Sequence, residues 1–189
     1  TLVFRPIDTP PQAYDAPAAR QDTGAAQTVL AADDKGTLEL GEYQGVDCIR
    51  ARDGLVYAAV YDGAALKKRR SDLVRTDGGH TAVVLTVDGE LTGFAFDGSG
   101  DLWLSILTPG GGSLCRAAHD SWGTAVEQVV TQIDGAPLGA VSAVEAAPDG
   151  RIYFAVAAAA GAADGLESTL RTELLAHTGT GCVYVYDPA

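Results

Sequence analysis

His177 is the residue whose type and position best suit acid-base chemistry. It stands in the segment ELLAHTGTG, directly before the strand-like run CVYVY. An imidazole titrates near neutral pH, so it can shuttle a proton or orient a substrate carbonyl. The same position also suits a loop histidine that bonds to the backbone. His80 and His119 lie in predicted turns and are expected at the surface, so His177 is the candidate catalytic residue.

The cysteines form no metal or redox motif. The sequence has three cysteines, Cys48, Cys115 and Cys182, and no two of them have C-x-x-C spacing. The spacing argues against a zinc knuckle, and the odd number argues against a disulfide framework. Each falls where the strand pattern favours a small buried residue, so we expect three buried structural thiols. The sequence also has no nucleophile elbow, Walker loop or His-rich metal motif.

The composition indicates which partners to expect. The 189 residues carry a formal net charge of −12, whereas binding to a nucleic-acid backbone relies on clustered Lys and Arg. The basic cluster at 67–70 fits a solvated turn better than a docking patch. No apolar run approaches the roughly 18 residues of a membrane span. No signal segment opens the sequence, so we expect a cytoplasmic protein, or the mature form of a processed one, without nucleic-acid or membrane partners.

The elements that must position these residues repeat three times. Gly54, Gly100 and Gly150 each end a turn, with spacings of 46 and 50 residues. After each glycine the second, fourth and sixth residues are apolar and the fifth is small, a pattern typical of a strand buried on both faces. The third residue is always aromatic: Tyr57, Trp103 and Tyr153. Because this register repeats, we expect the three aromatic residues in the core and not in a ligand site.

Repeats of about 40 to 50 residues with short strands are typical of propeller blades. The predicted fold is therefore an all-β propeller with about three blades. A Rossmann-like fold is disfavoured because no helical pattern separates the strands, whereas a sandwich of unrelated hairpins remains an alternative. Closed propellers have at least four blades and more often six or seven, so three blades and lead-in strands make about half of a ring.

The repeats divide the chain into an arm and one domain. Residues 1–20 are predicted to be an N-terminal arm, and residues 21–189 a single propeller domain, incomplete without a partner chain. Its parts are lead-in strands at 21–44 and blade-like units at 45–90, 91–137 and 138–189. The third unit contains an excursion at 161–175 before its last strand.

Several segments together resemble a known family. GVDCIRARDGLVYAAVYDG, LTGFAFDGSGDLWL and PLGAVSAVEAAPDGRIYFAV, followed by ELLAHTGTGCVYVYDP, are similar in order and spacing to the first half of the gluconolactonase and strictosidine synthase-like six-bladed propellers. The resemblance implies a central pocket for a small molecule. It also implies that a second polypeptide, or a second copy of this chain, completes the propeller.

In the metal-dependent branch of that family, the resemblance implies calcium or a similar cation that serves lactone or ester hydrolysis. The family's Glu aligns with Asp47 and its Asn with Ser142. Two further acidic positions fall on Ile106 and Val156. One carboxylate and one hydroxyl make a poor divalent site, so we expect no metal cofactor, with Asp47 as the ligand if calcium binds. Asp47 equally suits capping of backbone amides.

The strictosidine synthase-like branch implies a metal-independent apolar pocket with a catalytic Glu from a late blade, beyond Ala189. A carboxyl group in such a pocket has a raised pKa that suits acid-base work. The predicted lining is Val60, Ile106, Ser142 and Val156. We therefore expect an enzyme of small-molecule metabolism, a hydrolase or a condensing lyase, acting on a partly apolar substrate. The alternative is a non-catalytic propeller that binds a ligand or a protein.

Overall fold

The computed structural model describes residue 43 and residues 45–61, 70–77, 80–158 and 165–188. The predicted N-terminal arm, nearly all of the lead-in strands and most of the basic cluster at 67–70 lie outside this part. Within the described residues the chain forms four antiparallel sheets and one α-helix, and none of these sheets closes on itself. The predicted all-β class is confirmed at this level.

Three large sheets follow one another along the chain. The first contains β1 (Gly45–Arg52), β2 (Leu55–Tyr61), β3 (Arg70–Thr76) and β4 (Thr81–Asp88) in that order. The second contains β5 (Glu90–Phe96), β6 (Leu102–Thr108), β7 (Gly111–Ala117) and β8 (Glu127–Val130). A small hairpin of β9 (Gln132–Ile133) and β10 (Ala136–Pro137) precedes the third, which contains β11 (Val141–Ala146), β12 (Ile152–Val156) and β13 (Cys182–Tyr186).

The first two strands of each large sheet share one register. The paired residues Arg50 and Tyr57 in the first sheet correspond to Ala95 and Trp103 in the second and to Glu145 and Tyr153 in the third. In the first sheet, Asp53 and Gly54 form a tight turn with φ angles of 52° and 76°, the left-handed conformation that a two-residue hairpin requires. The repeat read from the sequence is thus a repeat of strand pairing.

The sheets pack face to face through two apolar cores. Leu91 and Phe94 of β5, both with 0% exposure, pack against the first sheet. Trp103 and Leu107 of β6 pack against Val144 of the third sheet. Each such large side chain stabilises the fold by about 2 kcal/mol when it leaves water. The second sheet is therefore the central layer, and Tyr57 and Trp103 are core residues as the repeat predicted. The prediction is wrong for Tyr153, which is half-buried and belongs to neither core, because it lies on the face of the third sheet that no described sheet covers.

The excursion of the third unit contains α1 (Leu166–Ala176), which the sequence reading did not identify. Its apolar residues Leu170, Leu174 and Leu175 are exposed, and Thr169 is its buried residue. Leu166, Leu170 and Leu174 recur every four residues, a helical spacing that the sequence reading did not use. No described helix has the length and the apolar character needed to cross a membrane.

The three cysteines differ in burial. Cys115 is buried, Cys48 is half-buried and Cys182 is exposed, and all three are free thiols. The expectation of a buried cysteine is confirmed for Cys115. It is wrong for Cys182, because this residue begins β13, which pairs on one side only, with β12.

Candidate functional site

A β-bulge occurs at the same register in each large sheet. Asp47 of β1, Thr92 of β5 and Ser142 of β11 are the residues without a cross-strand partner at these bulges. A bulge places two residues opposite one, which bends the strand and changes the direction of the extra side chain. All three lie near the starts of their strands, and we call this end of the sheets the bulge end.

Hydrogen bonds from two hydroxyl groups stabilise the bulge of β5. The Thr92 hydroxyl donates to Ser105, whose carbonyl and Oγ oxygens lie 3.1 and 2.9 Å away, and Ser105 Oγ donates to the Gly93 carbonyl at 3.2 Å. A side chain on Gly93 would place its Cβ 3.3 Å from the Ala143 Cα. Glycine at this position therefore lets β11 approach β5 closely beside the two bulges.

Asp47 and Ser142 occupy equivalent positions, because each is the residue without a cross-strand partner at the bulge of its strand. Asp47 is exposed and Ser142 is half-buried. Within the described residues, no group of three or more His, Cys, Asp or Glu side chains is placed to hold a metal ion. The expectation that the protein needs no metal, with Asp47 as the weak calcium ligand, stays a prediction.

The predicted apolar lining residues share a register but not a cavity. Val60, Ile106 and Val156 each pair with the residue before a bulge. Val60 packs in a small cluster within the first sheet, Ile106 in the core between the first and second sheets, and Val156 in the core between the second and third. The structure distributes them over three packing layers, and their joint role with Ser142 in a substrate pocket stays a prediction.

Glu90, which the sequence reading did not single out, is a buried carboxylate beside the bulge end. It begins β5, is 5% exposed, and its Oε2 accepts a hydrogen bond of 3.0 Å from the Leu166 backbone N–H. A negative charge at a helix N-terminus is favourable because the first backbone N–H groups lack helical partners. Glu90 thus ties the start of α1 to the start of β5. No sequence spacing reveals a contact across 76 residues.

His177 ends α1. It adopts a left-handed conformation with φ of 50°, is exposed, and its backbone N–H donates to the Glu173 carbonyl at 2.8 Å. The hydroxyl of Thr178 donates to the Glu173 carboxylate, and so does the Gly179 N–H at 2.8 Å. The Thr178 bond first, then the backbone bonds, hold the pKa of Glu173 below its ordinary value. These contacts describe a helix terminus, and a catalytic role for His177 stays a prediction.

An ion pair connects the first and third sheets. Arg50 Nη2 of β1 lies 2.9 Å from Glu145 Oε2 of β11, although β5 lies between these two strands in the packing order. Sheets that are stacked flat lie about 10 Å apart, which would put the first and third about 20 Å apart. The ion pair therefore indicates that β1, β5 and β11, the first strands of the three large sheets, converge.

Comparisons with known proteins give no family. No family model matches the chain, and no curated protein matches it. The resemblance to gluconolactonase and strictosidine synthase-like propellers accordingly stays a prediction.

Proposed function

We propose that the three large sheets are consecutive blades of a β-propeller and that the protein binds a small molecule at the bulge end. Support for the propeller comes from the meander order of the first two sheets, the shared register of all three, and the ion pair between Arg50 and Glu145. Blades arranged around an axis bring their first strands together, whereas a flat stack keeps the outer sheets apart.

One observation carries the proposal of a ligand site. The repeat keeps apolar side chains at its core positions but places three different polar side chains, Asp47, Thr92 and Ser142, at the equivalent bulges. Core packing constrains the apolar positions. Bulges are frequent beside binding sites because they redirect side chains. Asp47 is exposed and Ser142 is half-buried, so these two bulge residues suit a ligand, whereas Thr92 is buried and bonds to Ser105.

The chemistry of the bulge end favours a small, partly apolar molecule that offers hydrogen-bond donors. Asp47 supplies an exposed carboxylate, Ser142 a hydroxyl, and the neighbouring Val46 an apolar surface that is 39% exposed. The Thr92 hydroxyl donates a hydrogen bond to Ser105, and the Glu90 carboxylate accepts one from the first residue of α1. Because these two inner groups already have structural partners, binding without catalysis is the function that the geometry favours.

A metal-independent enzyme of the lactonase or strictosidine synthase-like type is the second candidate. The observation that favours it is the buried carboxyl group of Glu90, because a carboxyl group can act as a general acid or base. Glu90 would act in this way only when α1 has moved off it. Hydrolysis of a lactone or an ester is then the expected reaction, with His177 as a further candidate.

Nuclear magnetic resonance of the 15N-labelled protein tests the site, with pantolactone and methyl 6-hydroxyhexanoate as probes, because each carries a hydroxyl donor beside its lactone or ester group. We expect shifts of the Asp47, Thr92 and Ser142 amides, and weaker binding by Asp47→Asn. Asp53→Asn, at the turn that ends the same strand, is the control and should bind as the parent protein does. Binding without hydrolysis supports the binding module, and hydrolysis that Glu90→Gln abolishes supports the enzyme. Shifts elsewhere, or none, would refute a site at the bulge end.

We also propose that further blades pack on the outer face of the third sheet. Tyr153, Val183 and Val185 are half-buried there and point away from the core residues of the same strands. A second polypeptide, or a second copy of this chain, would cover them. Native mass spectrometry of the protein isolated from its source should show a complex with a second chain or a dimer of 19.4 kDa subunits. A monodisperse monomer would contradict both.

A further inference from the structure

A surface groove of about 480 Å³ lies between the first and second sheets. One wall comes from β4, and the other comes from β6, β7 and β8. The volume falls in the range of about 300–1,000 Å³ that is typical of small-molecule sites. None of the three bulge residues lines the groove, so it is distinct from the site proposed above.

The groove has an apolar part beside the polar side chains of Thr86, Thr108, Ser113 and Gln128. Val87 and Ile106 line the apolar part and are 5% and 6% exposed. Cys115 and Ser113 also line the groove. The Cys115 thiol donates to Ser113 Oγ at 3.3 Å, and that hydroxyl donates to the Ile106 carbonyl at 3.4 Å. These two polar groups therefore have partners within the protein, and the apolar part can accept the hydrocarbon part of a ligand without leaving them unpaired.

The rim carries one charge. Among the residues that the structure describes, Asp88 is the only acidic or basic side chain that lines the groove. Its carboxylate is exposed and makes no hydrogen bond or ion pair within the described part of the chain. Arg70 lies opposite Asp88 in the strand register, but its guanidinium is directed to Asp72, 4.0 Å away. No described basic side chain lines the groove, so no positive charge in this part of the structure favours an anionic ligand.

We propose that this groove binds a small organic cation with an apolar body. The ammonium group pairs with Asp88, and the hydrocarbon part covers Val87, Ile106 and the exposed side of Val126. A charge-assisted hydrogen bond to a carboxylate is stronger than a neutral one. The net charge of −12 further favours the approach of a cation.

Cyclohexylmethylamine and the uncharged cyclohexylmethanol are matched probes for this site. In 15N-labelled protein the amine should shift the amides of Asp88, Ile106 and Gln128 in a saturable manner. We expect the alcohol to bind at least about tenfold more weakly, because it lacks the charged donor. The affinity of the amine should fall with added salt and that of the alcohol should not, since screening acts on charges.

Two variants make the test specific. Asp88→Asn should lower the affinity for the amine to that for the alcohol, whereas Asp120→Asn, an exposed aspartate outside the groove, should leave it unchanged. Val126→Trp, a change at the exposed rim, should fill the groove and abolish binding of both probes. The proposal is overturned if the amine shifts no groove amide at millimolar concentration, or if Asp88→Asn and Asp120→Asn weaken binding equally.

Discussion

Arg50 of β1 and Glu145 of β11 hold the same place in their repeats and contact each other at 2.9 Å. Their strands belong to different sheets and do not pair. The contact spans 95 residues, and the central strand β5 packs against both of their strands. Equivalent residues of the first and third repeats therefore meet as they would around a common axis, which is the strongest structural support for the propeller proposal.

A double-mutant cycle tests this contact. Arg50→Ala and Glu145→Ala should each destabilise the protein slightly, and their coupling should be about 0.2–1 kcal/mol, because the side chains are 39% and 67% exposed and an exposed pair is weak. Urea unfolding at low and at high salt measures it. Coupling that vanishes at high salt agrees with the ion pair. Its absence at low salt would contradict a stabilising ion pair between Arg50 and Glu145.

The turn before Trp103 depends on one carboxylate. Asp97 Oδ2 accepts a bond of 2.9 Å from Trp103 Nε1, and Oδ1 accepts bonds from Ser99 and Asp101. Asp97→Ala leaves the indole N–H of a buried Trp without its partner, which should cost roughly 1–3 kcal/mol. Asp149→Ala, in the corresponding turn of the third sheet, removes an exposed carboxylate and should cost less. Chemical denaturation of both variants is the measurement, and equal losses would contradict this account.

The same carboxylate makes stability depend on pH. Burial alone raises the pKa of Asp97, but the bonds from Ser99, Trp103 and Asp101 outweigh it and hold the pKa below its ordinary value of 3.8. A group with a lowered folded pKa stabilises the protein above its unfolded pKa and loses this effect as pH falls through the folded value. The stability difference between the parent protein and Asp97→Asn should therefore be constant near neutral pH and shrink below about pH 4. A difference that grows towards acid would have the wrong sign.

Glu90 should stabilise α1 locally. Glu90→Gln keeps the size of the side chain but removes the charge at the helix N-terminus, so amide hydrogen exchange of residues 166–169 should accelerate by a factor of about 3 to 30, corresponding to about 0.6–2 kcal/mol. Glu167→Gln, in the first turn of the same helix, is the control for loss of charge alone. An equal acceleration in both variants would show that the contact with Glu90 adds nothing.

The sequence predicted the strand pairing that recurs in all three repeats and missed the contacts that occur only once in the structure. The pairing of Tyr57, Trp103 and Tyr153 with the preceding strands follows from residue types that recur at fixed spacing. The contact between Glu90 and Leu166 joins single, non-periodic residues 76 positions apart. No local pattern encodes such a contact, because it depends on how sheets and excursion pack. The groove beside Asp88 escaped the sequence reading for the same reason.

The thiols should react in the order of their exposure. Cys182 is exposed, Cys48 half-buried and Cys115 buried, and burial raises the pKa of the Cys115 thiol. Because the thiolate is the reactive form, alkylation by iodoacetamide at pH 8 should modify Cys182 first, and Cys115 only after unfolding by urea. Peptide mass spectrometry resolves the three sites. Modification of native Cys115 as fast as Cys182 would contradict the packing of the core between the first and second sheets.

Paramagnetic broadening from a nitroxide at the bulge of β11 tests the convergence of the three sheets most directly. The label is attached to Ser142→Cys in a background carrying Cys48→Ser and Cys182→Ser. If the starting strands surround one axis with their bulges at one end, the Asp47 and Thr92 amides should broaden strongly. Gly54, past the end of β1 and about 20 Å or more from the bulge along the strand, should broaden much less. Broadening of Thr92 without Asp47, or of Gly54 more than Asp47, would contradict the convergent arrangement and the site proposed at the bulge end.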